Sequence, residues 1–296
     1  MVEKVKIVEV GPRDGLQNEP TTLAAALKIE LIERLAMTGL SVVEAGSFVS
    51  PKWVPQMADT DAVLTGLKRK TGVSYPVLVP NEQGLQRALA CGVEEIAVFT
   101  AASDAFNRKN INASIEESLV RIKPVVEQAL TKKIKVRGYV STVLGCPYQG
   151  EVVVSEVVRV TKALADMGCY EISLGDTIGI GTPKKAREML RACAQAVDMS
   201  RLAVHFHDTR GQALANIYAC LEAGVRVADA SVSGLGGCPY ANGASGNVAS
   251  EDLVYMLHGL GMETGVDLAA LTETARWISD QLGREPAGKL ARIKKK

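Results

Sequence analysis

The sequence predicts an α/β protein of the (β/α)8, or TIM-barrel, class, and three observations predict it. Short β-branched runs alternate with longer amphipathic stretches throughout, giving eight β-then-α units. No linker of disordered composition separates the units, so a single domain holds them all. The turn after the first strand, Gly11-Pro12-Arg13-Asp14-Gly15, lacks the G-x-G-x-x-G spacing that a doubly wound nucleotide fold would carry there.

The elements follow in order. Residues 5–10 form the first strand, stopped by Gly11-Pro12, and Thr21-Thr22 is expected to cap a helix running to Gly39. Residues 42–45 are the second strand, followed by a helix near 57–70. Residues 75–79 and 82–90 make the third pair. The fourth strand, 96–100, leads through a polar basic loop, Asn107-Arg108-Lys109-Asn110, to a helix over 115–130. Residues 135–141 and 152–167 are the fifth pair. The sixth strand, 170–174, precedes a helix opened by Thr182-Pro183, a cap with proline in the first turn. Residues 202–207 and 212–223, then 227–233 and 248–259, complete the barrel. Residues 1–266 are thus the catalytic barrel, and 267–296 a short C-terminal helical extension with a basic end.

Composition narrows the function classes. With 34 Lys+Arg against 33 Asp+Glu the formal charge is +1, and aromatics are 4% of the chain. Neither a field that attracts nucleic acid nor faces for base stacking are present, so no nucleic-acid partner is expected. No apolar run approaches the ~18 residues of a membrane helix. The first residues lack the apolar core of a signal peptide and the Arg/Ser-rich character of a transit peptide, so a cytoplasmic location is expected. Cys91, Cys146, Cys169, Cys193, Cys220 and Cys238 show no metal-knuckle spacing and are read as reduced thiols.

In a barrel of this kind, functional side chains sit where strands end and βα loops begin. His205 and His207 lie two apart on one strand and face the same side, and they are two of only 3 histidines; the third, His258, falls in the last barrel helix. Two buried core histidines would explain the pair, but two imidazoles at a barrel rim also suit a metal. Asp14 could add a carboxylate oxygen, or merely form a turn. Asn247 could add an amide oxygen, and could also cap the last barrel helix. Two nitrogens and two oxygens with open positions suit Mg2+ or Mn2+ better than Zn2+. No other cofactor is implied.

Arg13 offers a fixed cation to an enolate or carboxylate oxygen. Glu44, inside an apolar strand, should be paired, with Arg13 the expected partner across neighbouring strands. Asp176, in the Gly-rich turn after the sixth strand, is a candidate acid/base or a turn former. Cys238 stands in a Gly-rich loop after the eighth strand, a candidate acid/base or an inert thiol.

GPRDGLQNE over residues 11–19, VHFHDTRG around the histidines and SGLGGCPYANGASGNVASED around Cys238 together resemble the 3-hydroxy-3-methylglutaryl-CoA lyases. These belong to the metal-dependent barrel family that also holds the isopropylmalate and homocitrate synthases. The resemblance covers essentially the whole chain, and the cysteine loop is its most specific part. It implies Asp14, His205, His207 and Asn247 as metal ligands, and Arg13, Glu44, Asp176, His205 and Cys238 as catalytic residues. It also implies an acyl-CoA substrate and cleavage to acetyl-CoA and acetoacetate, with Asp176 or His205 as the hydroxyl base. The exposed outer helices of a barrel make a homodimer the expected assembly. A Claisen-type synthase would use the same cation and arginine without needing the thiol. A Schiff-base aldolase needs a lysine near a strand's C-terminal end, whereas Lys135 opens the fifth strand. A barrel that binds metal without turnover is the non-enzymatic alternative.

Overall fold

Period-two alternation sorts the strand residues onto two faces. One set, including Ile7, Val43, Ile96, Val136, Ile172 and Val204, is buried in one large apolar cluster with the inner faces of the helices. The computed structural model describes residues 2–237 and 246–293. Its strands are β1 (Lys6–Glu9), β2 in two segments (Val42–Val43 and Gly46–Ser47), β3 (Val77–Leu78), β4 (Glu95–Ala101), β5 (Lys135–Ser141), β6 (Glu171–Asp176), β7 (Leu202–Phe206) and β8 (Val227–Ala230). All pairings among them are parallel. The first segment of β2 pairs with β1 and the second with β3, while β1 also pairs with β8. Between the segments, Glu44 N donates to Glu9 O and Ala45 N to Pro76 O, so the ladder continues and the sheet closes on itself. The barrel expected from the sequence is present.

The helices on the outside are α1 (Ala25–Met37), α2 (Thr60–Gly66), α3 (Glu82–Ala90), α4 (Asp104–Ile111), α5 (Ile115–Thr131), α6 (Val154–Asp166), α7 (Pro183–Ala194), α8 (Ala213–Leu221), α9 (Ser250–Gly259), α10 (Leu268–Gln281) and α11 (Lys289–Arg292). Several boundaries differ from the sequence reading, each for a local reason. The polar stretch 107–110 is not a loop but part of α4: Ser103 Oγ accepts from Phe106 N, and Asp104 stands in the first turn. Asn112, at φ 49°, ends that helix, and a capping box of Ser114 and Glu117 starts α5. Thr21 and Thr22 do not cap α1, which opens at Ala24 without a side-chain bond. The strand expected to reach Ser233 stops at Ala230 and gives way to a 3-10 turn over Val232–Gly234. The tail holds two helices rather than one, α10 and the short α11. α10 and the segment that follows it lean on that turn, with Ser279 Oγ 2.6 Å from Ser233 Oγ and Ala287 N donating to Ser233 O.

The inside of the barrel is unusual for the fold. Apolar and aromatic residues fill only part of it, as two small clusters: Val8, Val10, Val42, Ala203 and Val227, and Leu78, Ala97 and Tyr139. The rest is an ion network on the barrel floor. Arg137, 1% exposed, donates through Nε to Glu171 Oε1 at 2.7 Å, and through Nη1 and Nη2 to Asp229 at 3.0 and 2.7 Å. Lys6 Nζ reaches Glu171 Oε2 at 2.6 Å, and Ser173 Oγ reaches Asp229 Oδ2 at 2.8 Å. Such charges persist without water only because each one is met by an opposite charge in good geometry. Among the described residues no helix is long and apolar enough to cross a membrane, and all five described cysteines are free.

Candidate functional site

Beyond β1 the chain enters one π-type turn over Gly11–Gly15, in which Gly15 N donates to Val10 O. Glycine is required at its end, because a Cβ on Gly15 would lie 2.6 Å from Leu235 Cβ. The extra residue in this turn aims Arg13 and Asp14 inward over the barrel mouth. Arg13 donates through Nη1 to Asp14 Oδ1 at 2.7 Å and pairs through Nη2 with Glu44 Oε2 at 2.8 Å, so the pairing expected for Glu44 is present. Tyr139 Oη donates to the same Glu44 oxygen at 3.1 Å, and its ring centroid lies 5.3 Å from the Arg13 guanidinium. Burial alone would lower the Arg13 pKa, but Glu44 and Asp14 outweigh it and hold the cation charged.

His205 ends β7 beside Phe206 and His207 follows, their ring centroids 5.4 Å apart. His205 Nδ1 lies 3.2 Å from Asp229 Oδ2, its register partner on β8, and Nε2 lies 3.8 Å from Asp14 Oδ2. One ligand atom each from Asp14, His205 and His207 lies within 4.8 Å of the others, which is a cation-sized arrangement. His207 Nδ1 is buried with no hydrogen-bond partner, an orphaned atom of the kind a ligand would satisfy. Burial, then the neighbouring His205, pulls His207 down to about 4, so it is neutral near pH 7 and able to ligate. Burial would raise the carboxyl of Asp14, but Arg13 and the two histidines outweigh it, and its pKa falls to about 2. A permanent carboxylate and two imidazoles therefore fit a divalent metal.

Asn247 touches the same centre. Its Nδ2 donates to Asp14 Oδ2 at 2.8 Å and to Leu235 O at 3.1 Å, and its backbone bridges to His207. It does not cap the last barrel helix: α9 opens at Ala249, two residues on, with no side-chain cap. Asp176 stands apart from this cluster in its bonding. Its two oxygens accept from Ile180 N at 3.2 Å and Gly181 N at 2.8 Å, and burial pushes its carboxyl upward. Cys238 lies outside the described residues.

A cleft of about 1030 Å3 is lined by Arg13, Asp14, His205 and His207 together with Tyr139, Leu78 and Phe99. Its lining also includes the exposed Trp53, Lys109, Asn112 and Arg121. Trp53 is 79% exposed, an apolar plate left facing solvent.

Sequence reasoning missed two residues here. Tyr139 lies between the guanidinium groups of Arg13 and Arg137, which are 5.3 and 4.9 Å from its ring centroid. Asp229 holds His205. A signal existed for both: Lys135, Arg137 and Tyr139 alternate along β5, and Asp229 interrupts an otherwise apolar β8, a pattern that puts polar groups inside the barrel.

Comparison with known proteins gives concordant matches. The family model described as HMGL-like matches residues 4–278. Hydroxymethylglutaryl-CoA lyase, mitochondrial, of Gallus gallus is 58% identical over 289 residues, covering 98% of this chain and 97% of that protein. The crystal structure of hydroxymethylglutaryl-CoA lyase from Pseudomonas aeruginosa superposes with a TM-score of 0.97 at 54% identity, covering 99% of this chain and 97% of its own. An HMG-CoA lyase structure in complex with coenzyme A and 3-methylmalate, from Acenitobacter baumannii, gives a TM-score of 0.93 at 38% identity, covering 98% and 95%. Relatives described as mitochondrial and as cytoplasmic both occur among the matches.

Proposed function

The chain belongs to the HMGL-like family, and from that premise we infer that it is a carbon–carbon lyase cleaving 3-hydroxy-3-methylglutaryl-CoA to acetyl-CoA and acetoacetate. The single observation that carries the chemistry is the convergence of Asp14, His205 and His207 within 4.8 Å, beside the buried Arg13. Lys135, the lysine a Schiff-base aldolase would have to place at a strand's C-terminal end, is exposed at the start of β5.

Asp14, His205 and His207 would hold a divalent cation, Mg2+ or Mn2+, with Asn247 beside them. When bound, such a cation lowers the pKa of a tertiary hydroxyl and fixes its orientation. The chain's own residues supply the rest. Asp176 and His205 are the two candidate bases for the hydroxyl proton. The C–C bond then breaks, its electron pair passing to the thioester as an enolate while the hydroxyl oxygen becomes the ketone of acetoacetate. Arg13, held by Glu44, faces the enolate oxygen and stabilises the charge as it forms. Cys238 returns a proton to the enolate carbon, giving acetyl-CoA.

The cleft suits the substrate's two ends. Its lining carries Arg13, Asp14 and the two histidines for the reacting end, Lys109 and Arg121 for the phosphates of coenzyme A, and Trp53 for an apolar or ring contact. The catalytic unit is residues 1–266, with 267–296 appended. The assembly is a homodimer through outer helices, where Tyr218 of α8 and Tyr255 of α9 are 42% and 63% exposed, and the location is cytoplasmic.

The test is acetoacetate release from 3-hydroxy-3-methylglutaryl-CoA. Release that EDTA abolishes and added Mg2+ or Mn2+ restores is expected. No acetoacetate under any of these conditions would refute the reading.

A further inference from the structure

The floor network and the mouth cluster meet at one hydrogen bond, from His205 to Asp229. We infer that Asp229 is a positioning residue that sets the tautomer of His205 and so presents Nε2 to the cation, an inference resting on the metal reading above.

The geometry is specific. Asp229 is 0% exposed and sits on β8 directly opposite His205 on β7. Its Oδ2 accepts from Ser173 Oγ at 2.8 Å and from Arg137 Nη1 at 3.0 Å, and Oδ1 accepts from Arg137 Nη2 at 2.7 Å. All of those partners are donors, so the carboxylate is a pure acceptor that cannot turn away. A neutral imidazole beside it must carry its proton on Nδ1, which leaves the Nε2 lone pair on the side of Asp14 and His207. Arg137 is itself held by Glu171, which Lys6 holds in turn, so the strut runs from β1 through β6 and β5 to β8 before it reaches the site. A carboxylate behind a ligating histidine orients the ring and raises its basicity, and losing it typically weakens metal binding about 10- to 100-fold.

The experiment uses Mn2+ alone, titrated by EPR into the full chain, with 15N shifts of the imidazoles read on the metal-free protein. Only 3 histidines need assigning. Arg137→Met/Asp229→Leu removes acceptor and counter-charge together and leaves Glu171 with Lys6, so no new buried charge stands alone. The expected result is Mn2+ binding weakened about 10- to 100-fold, with His205 shifting from the Nδ1–H form to a mixture of tautomers. Asp229→Asn, which keeps the shape, is the second variant should the double one fail to fold, and is expected to move both readouts in the same direction by less. A folded variant with wild-type Mn2+ affinity and an unchanged His205 tautomer overturns the inference and leaves the metal reading standing. Wild-type protein that takes up no Mn2+ overturns the metal reading and this inference with it.

Discussion

On the barrel floor every polar side-chain atom of Arg137, Glu171 and Asp229 has a partner, whereas at the mouth Arg13 Nε, Glu44 Oε1 and His207 Nδ1 have none. Both regions are buried, and in both an arginine is paired with carboxylates. The floor is saturated, so its charges serve geometry: they hold strands at fixed spacing and end in an acceptor behind His205. The mouth retains unspent donors, acceptors and lone pairs, which in a native fold point to a missing ligand. Tyr139 divides the two, its ring against both guanidinium groups and its hydroxyl on Glu44.

That contrast predicts opposite phenotypes for the two buried arginines. Arg137→Met should leave Asp229 without its counter-charge and lower the stability of the fold by about 3–5 kcal/mol, measured by urea denaturation. A variant as stable as wild type would show that the floor charges are not mutually dependent. Arg13→Gln should fold and still take up metal, since Glu44 can be protonated beside Tyr139, yet lose turnover. Removing one oxyanion donor elsewhere costs ~3 kcal/mol, so kcat should fall at least about 100-fold. A near-wild-type kcat would remove Arg13 from the enolate step.

Another buried carboxylate, Glu9, sharpens the comparison. Glu9 accepts from Gly11 N and Val232 N at 2.8 Å each and from Ser250 Oγ, with no cation among these partners. Burial pushes its carboxyl from 4.5 to about 7. For Asp229, burial acts in the same direction, but Arg137 and His205 outweigh it and hold the carboxyl below the usual range. The signs therefore differ. Glu9 contributes stability that is full below pH 4.5 and is lost as pH rises through about 7. Asp229 contributes stability that is present above the ordinary carboxylate pKa and lost on acidification. Glu9→Gln keeps acceptors for the two amides, so at pH 8 it should exceed wild type by about 2–3 kcal/mol, with the gap closing towards pH 4.5. A gap independent of pH would mean that Glu9 ionises in the fold as readily as in the unfolded chain.

Much of this was legible in one dimension. The eight β-then-α units, the Arg13–Glu44 pair and the three metal-competent residues followed from strand-end positions and period-two spacing. Loop 107–110 was misread because a run of polar residues looks the same in a loop and on an exposed helix; only the Ser103 cap distinguishes them. For Asn247 the sequence offers a ligand role and, because an Asx residue before a helix usually caps it, a capping role as well. Here Ala249 takes that position, and the amide turns to Asp14 instead.

What the sequence determined by itself is the alternation that makes strands and helices, together with the residue types available at each strand end. Those depend on neighbours within a few positions and on repeated spacing. Which charges face one another was decided only by closing the barrel. His205 meets Asp229 because β7 and β8 pair in one register, and Glu44 meets Arg13 because β2 is interrupted where it passes from β1 to β3. Electrostatic pairing falls off over a few ångströms, and no spacing along the chain encodes distances between strands that are far apart in sequence.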